Sequence, residues 1–198
     1  MRVSGRMIVH PSAKIRHCSI KVDKDSCLEI TEGVKLTGVK IRLSKGSTLR
    51  LAPYSELRKN TNALAPQYLI EGGRVTVGHH SSLRAARVWV RFGGQLDIGC
   101  YVSINDGSEI RADEYVSIGD YGMISYNTRI WDTNTHTIYS EEARAEIKRK
   151  HWPEAGYEYE KPKTAPVHIG PGAWIGESAI ILKGCRIGRD CIIGTNTL

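Results

Sequence analysis

IGPGAW (169–174), IGESAI (175–180), ILKGCR (181–186), IGRDCI (187–192) and IGTNTL (193–198) make up the last thirty residues, and they fall into five blocks of six. Isoleucine opens each block, at Ile169, Ile175, Ile181, Ile187 and Ile193, and glycine follows it in four of the five. The fifth place is always small: Ala173, Ala179, Cys185, Cys191 and Thr197. Neither a helix nor an alternating strand has period six, whereas a fixed short period marks stacked coils. A short strand and a turn use about six residues, so three blocks close one triangular coil of about eighteen. Each block-opening Ile then points inward over the Ile one coil away. The Gly beside it supplies permissive corner geometry, and the small fifth residues let the coils close tightly. The expected fold class is all-β, a parallel β-helix solenoid with one long loop interrupting its coils.

The same phase runs upstream. Val77-Gly78 and Leu83 form one block, and Ile98-Gly99, Ile104 and Ile110 repeat as Ile118-Gly119, Ile124 and Ile130. This pairs Ile98 with Ile118, Ile104 with Ile124 and Ile110 with Ile130, one coil apart. Residues 75–198 therefore read as a hexapeptide-repeat domain with a loop inserted at 131–168. Residues 1–74 read as irregular N-terminal coils in which Leu43, Leu49, Leu51 and Leu57 face inward, with SKGS and APYS as turns and a loop leading from residue 60 into a strand. Inside the insertion, SEEARAEIKRKHW has the signals of a short helix: Ser140 as N-cap, Glu141 and Glu142 in the first turn, cations at the end and Pro153 as the stop. Six acidic and six basic residues between Glu141 and Lys163 leave it without net charge. The pattern runs to Leu198 with no polar cap in view. The expectation is that a C-terminal remainder is missing or that another chain covers the last coil.

Composition sets the frame. A chain of 198 residues with 40% apolar residues supports one domain, and its single Phe leaves aliphatic side chains to fill a narrow core. No stretch is long or apolar enough to span a bilayer. The N-terminus is charged and lacks the apolar core of a signal peptide, so the expected compartment is the cytoplasm. Five cysteines without metal-like clustering fit reduced thiols, with Cys185 and Cys191 packed inward. Residues 1–60 hold thirteen Lys or Arg against five Asp or Glu, or +8 of the net +7, so the remainder sums to −1. That basic third suits a phosphate, an anionic glycan or peripheral contact with a membrane, or else serves solubility. Nucleic acid is not expected, because aromatic interleaving and recognition motifs are missing.

IGCYVSINDGSEI, DEYVSIGDYGMISYNTRI, the DTNTH segment and the later GAWIG resemble the hexapeptide-repeat acyltransferases, and within them the bacterial sugar O-acetyltransferases, such as the galactoside and maltose enzymes and those acting on surface polysaccharides. The resemblance covers residues 75–198. It implies a left-handed parallel β-helix, a homotrimer with active sites between subunits, acetyl-CoA as acyl donor, no metal, and a sugar or glycan hydroxyl as acceptor. It assigns His136 as the loop general base. A sugar hydroxyl is a poor nucleophile at neutral pH, and an imidazole titrating near ~6.5 can take its proton during attack on a thioester. Asn105 matches an acceptor-side Asn and Trp174 an aromatic near the donor. Asp132, four residues before His136, is placed to orient the imidazole, an inference from spacing alone. Lys183, Arg186 and Arg189 are candidates for the coenzyme A phosphates.

Three alternatives stand beside this one. A solenoid can be a non-catalytic scaffold or assembly subunit. The acceptor can be an amine or antibiotic rather than a sugar. The γ-class carbonic anhydrases are similar solenoids that hold metal through three His, and His79, His80, His136, His151 and His168 are available here. That family's His spacing is not found, and His79 and His80 would point to opposite sides of a strand.

Overall fold

A computed structural model describes residues 1–60, 64–153 and 158–198. The strands are two to five residues long. Between them the chain turns a corner, so three strands complete a coil, and each strand pairs in parallel with its counterpart in the next coil. The result is a three-sided parallel β-helix whose faces are eight-stranded sheets. Face 1 starts with Arg2–Val3, Ser19–Val22 and Lys40–Ser44; face 2 with Arg6–Val9 and Cys27–Ile30; face 3 with Lys14–Arg16 and Lys35–Thr37.

The register is the one the isoleucine phase dictates. Ile98 pairs with Ile118, Ile104 with Ile124, and Ile110 with Ile130. In the last coils Ile169 pairs with Ile187 and Ile175 with Ile193. Side chains alternate across a strand, so one residue in two points into the tube. The inward set, including Leu43, Leu49, Leu51, Leu57, Ile104, Ile110 and Ile130, is buried. Each such aliphatic side chain stabilises the fold by roughly 1.5–3 kcal/mol. The N-terminal coils join the same three sheets, and the strand after residue 60 is Gln67–Glu71. Of the loop expected from residue 60, residues 61–63 lie outside the described residues.

Two details depart from the expectation. The block glycines are not at left-handed corners. At Gly119 an added Cβ would lie 2.5 Å from the Pro171 nitrogen of the next coil, so glycine is there because the backbones approach too closely for a side chain. Left-handed φ falls at other turn positions, among them Gly33 and Gly172 and also Tyr54, His80, Tyr101 and Tyr121, the last four with φ of 57–61°. Their rings stack up one edge, Tyr101 on Tyr121 at 5.5 Å and His80 on Tyr101 at 5.0 Å. Cys185 and Cys191, expected to pack inward, are exposed.

Candidate active site

The face 1 strand Arg129–Trp131 opens into the insertion, whose two ends are zipped together. Thr133 bridges Thr164 in antiparallel sense, the Asn134 amide donates to the Lys163 carbonyl at 3.0 Å, and the Ala165 amide donates to the Asp132 carbonyl at 3.0 Å. The insertion therefore leaves and rejoins the tube at one point, the corner between faces 1 and 2.

That corner is polar inside. Arg91, Asp113 and Asp132 come from three successive coils, and all are buried. Arg91 grips the Asp113 carboxylate with two hydrogen bonds, Nε at 3.0 Å and Nη2 at 2.7 Å, and Nη2 also donates to the Thr135 carbonyl at 3.3 Å. Asp132 accepts from the amides of Asp113 and Glu114, each at 2.8 Å. Burial pushes the Asp132 carboxyl above its ordinary value, and these amide bonds oppose the shift. Asp132 therefore fastens the loop to the coil below and does not face His136, which corrects the orienting role read from its spacing. Thr135 sits at φ 72°, a left-handed conformation that is a true outlier for a β-branched residue. Its amide donates to Thr133 Oγ1 at 3.0 Å and Arg91 holds its carbonyl, so the strain is held in place just before His136.

The group that orients His136 is Glu158. Its Oε1 lies 2.7 Å from His136 Nδ1, and its Oε2 accepts from the Thr137 amide at 3.1 Å. Arg144 closes the cluster, with Nη1 3.2 Å from Glu158 Oε1 and Nη2 donating to the Thr137 carbonyl at 2.7 Å. Arg144 is presented by the helix Glu141–His151, which has the expected N-cap: Ser140 accepts from the Ala143 amide at 3.3 Å. The Glu158 side chain is 1% exposed and the His136 side chain 53%. A buried carboxylate can only accept, so Nδ1 is the protonated nitrogen and Nε2 carries the lone pair. Nε2 has no hydrogen bond among the described residues, on a side chain that is about half exposed.

Burial pushes the Glu158 carboxyl up, but hydrogen bonds from His136, the Thr137 amide and Arg144 outweigh it and hold it below its ordinary value of 4.5. A depressed carboxyl contributes stability that is complete above its ordinary value and is lost as pH falls through the folded one. The loop should therefore loosen in acid while the tube persists. Exchange protection of the Thr137 amide, high at neutral pH, should be lost as pH falls through the depressed value of the Glu158 carboxyl, below its ordinary 4.5. Glu158→Gln should lower that protection at neutral pH and remove the acid step.

The other expected residues lie elsewhere. Asn105 follows the face 3 strand Ser103–Ile104, at the corner between faces 3 and 1, where its Oδ1 accepts from Arg84 Nη2. The face 1 strand Glu109–Ala112 separates it from the His136 corner, a span of roughly 15 Å at ~3.3 Å per residue, so one chain does not bring the two together. Trp174 is on face 3, paired in register with Met123 and Ile192 and 47% exposed. Lys183 is exposed on the same corner as the His136 loop, one coil on, where the Gly184 amide donates to the Ala165 carbonyl at 3.1 Å. Arg186, exposed on face 2, lies abreast of His168. His168 Nδ1 is 2.9 Å from Ser117 Oγ. His79 and His80 share a corner between faces 2 and 3 with their Nδ1 atoms 3.0 Å apart, rather than pointing to opposite sides. Among the described residues no three His, Cys, Asp or Glu are grouped to hold a metal ion.

Comparison with known proteins agrees with this architecture. Residues 166–198 match the bacterial transferase hexapeptide (six repeats) model. Two solved structures share the fold over 96% of this chain. One is the polySia specific acetyltransferase NeuO (TM-score 0.54, 13% identity, 80% of that chain) and the other the polysialic acid O-acetyltransferase OatWY (TM-score 0.51, 18% identity, 74% of that chain). The chain is thus a parallel β-helix whose last coils carry bacterial transferase hexapeptide repeats. Two curated proteins are similar to it in sequence. It is 28% identical to the probable acetyltransferase Rv3034c of Mycobacterium tuberculosis over 65% of this chain and 37% of that one. It is 29% identical to the galactoside O-acetyltransferase of Lactococcus lactis over 56% of this chain and 46% of that one. The matched region spans less than half the length of either relative.

Proposed function

We propose that the chain is an acetyl-CoA-dependent O-acetyltransferase acting on a hydroxyl of a sugar or glycan. The observation that carries this is the His136–Glu158 pair: an imidazole whose inner nitrogen is fixed on a buried carboxylate and whose outer nitrogen is open. The named activities of the relatives support acyl transfer, and the galactoside enzyme supports a sugar acceptor.

The chemistry follows from that geometry. His136 Nε2 takes the proton of the acceptor hydroxyl as its oxygen attacks the thioester carbonyl. Glu158 stabilises the imidazolium that forms. The new C–O bond stays, the C–S bond breaks, and Nε2 returns the proton to the departing thiolate. Glu158 needs no proton of its own in this cycle, consistent with its low-lying carboxyl. Asn105 and Trp174 contribute from the far corner and face, so the complete site is assigned to a homotrimer in which His136 of one chain meets Asn105 and Trp174 of the next. Lys183, on the corner of the His136 loop, is the proposed contact for the donor phosphates, ahead of Arg186 and Arg189. No helix of the described chain is long and apolar enough to cross a membrane, and a cytoplasmic enzyme drawing on acetyl-CoA fits the proposal.

A thermal melt with and without acetyl-CoA tests the donor. A hundredfold excess over the dissociation constant should stabilise the fold by about 2.7 kcal/mol, and thiol should be released on adding an acceptor from a panel of sugars. No midpoint shift together with no thiol release would refute the proposal.

A further inference from the structure

On face 1 one line of outward side chains runs along the tube axis. Arg2 pairs in register with Lys21, Lys21 with Arg42, and Arg42 with Leu69. The line goes on through Trp89 and Arg111 to Trp131. Lys40 stands beside Arg42, two residues back on the same strand. Arg2, Lys21, Lys40 and Arg42 are exposed, and none has an ion-pair partner among the described residues. Elsewhere the fold does pair outward cations: Arg50 with Glu29 at 3.4 Å, Arg58 with Glu56 at 3.8 Å, Arg87 with Glu109 at 3.9 Å. Like charges directly abreast on neighbouring strands are unfavourable. A run of three, held in register without a carboxylate, is a surface that attracts an anion.

We propose that face 1 is a docking track for an acidic glycan, a polymer carrying a carboxylate on successive units, laid along the tube axis with one end at His136. This rests on the acyl-transfer reading for what happens at the loop. Strands repeat every ~4.8 Å, so the line presents one cation per coil over its first three coils and spans roughly 29 Å from Arg2 to Trp131. Trp131 is one residue before Asp132, from which the His136 loop springs, so a chain seated on the cations is guided to the site. Single-stranded nucleic acid is disfavoured because it needs free aromatic faces for its bases. The two indoles on the line are covered: Arg91 and Arg111 lie 4.5 and 5.3 Å from the Trp89 ring, and Arg111 lies 4.3 Å from Trp131.

The test is binding of oligogalacturonates of increasing length by wild type, by Arg2→Gln/Lys21→Gln/Arg42→Gln and by His136→Ala, with dextran, single-stranded RNA and phosphatidylserine vesicles as comparison probes. Wild type and His136→Ala should bind long oligogalacturonates alike and dextran not at all. The triple variant, with an unchanged melting midpoint, should bind about tenfold or more weakly and show a salt slope shallower by about 2–3. Oligomers too short to span from the cations to the loop should bind weakly in all three proteins. Equal binding by the triple variant, or RNA or vesicles bound more tightly than the glycan, would overturn the track. If the triple variant loses glycan binding while His136→Ala keeps its turnover, the track stands and the assignment of His136 fails.

Discussion

His136→Ala should lower acetyl transfer by about 10²–10⁴-fold, the usual contribution of a positioned general base, while leaving the acetyl-CoA-induced rise in melting temperature within error of wild type. The side chain is 53% exposed, so its removal leaves no cavity. The melting point without ligand should therefore change little, which separates lost chemistry from lost fold. Glu158→Gln refines the assignment. It keeps the size of the side chain but removes the charge that fixes Nδ1–H and stabilises the imidazolium. It should reduce kcat with little change in KM and alter the pH–rate profile, because the carboxylate that stabilises the imidazolium is gone. A Glu158 whose only role was to hold the loop would lower stability and leave the pH profile where it was. Asp132→Asn is the contrasting case. The Asp132 carboxylate accepts from Asp113 and Glu114 amides, so its loss should register in stability before it registers in the pH profile.

The tube was legible because its information is periodic. Ile98, Ile104 and Ile110 recur one coil later as Ile118, Ile124 and Ile130, and inward burial leaves a strand no other register. The loop helix was legible because Ser140, Glu141 and Glu142 are local signals that act within one turn. The site was only half legible. His136 stands out as a histidine on a segment that breaks the repeat. Its partner does not, because Glu158 is one of six acidic residues in a charge-balanced insertion and reaches His136 only after the helix has turned the chain back. A spacing of four residues brings side chains together on a helix. Asp132 to His136 is irregular backbone anchored to a corner, so there the spacing carried no geometry. The single trace of Glu158 in the sequence is that the insertion returns enough chain for a contact with its own start. Arg91 left none, since its link to the loop crosses from a coil two below.

Arg91→Ala should be the most destabilising single change at this corner, by about 3–5 kcal/mol. Arg91 is buried on a carboxylate that is itself 1% exposed. Removing the guanidinium leaves Asp113 charged, dry and without its counter-ion, and forfeits packing against Trp89 and Phe92 at 4.5 and 5.0 Å. It also frees the Thr135 carbonyl and with it the strained residue ahead of His136. Two readouts follow from one change: a lower urea midpoint, and loss of acetyl transfer at temperatures where the tube is still folded. The surface pair Arg50–Glu29 gives the scale, since Arg50 is 63% exposed and Arg50→Ala should cost less than about 1 kcal/mol. Adding Asp113→Ala to Arg91→Ala should recover part of the stability by removing the stranded charge, but not the activity, because Thr135 is still without its clamp. Recovery of both would mean that Arg91 serves the corner alone; recovery of stability without activity assigns it a hold on the loop that presents His136.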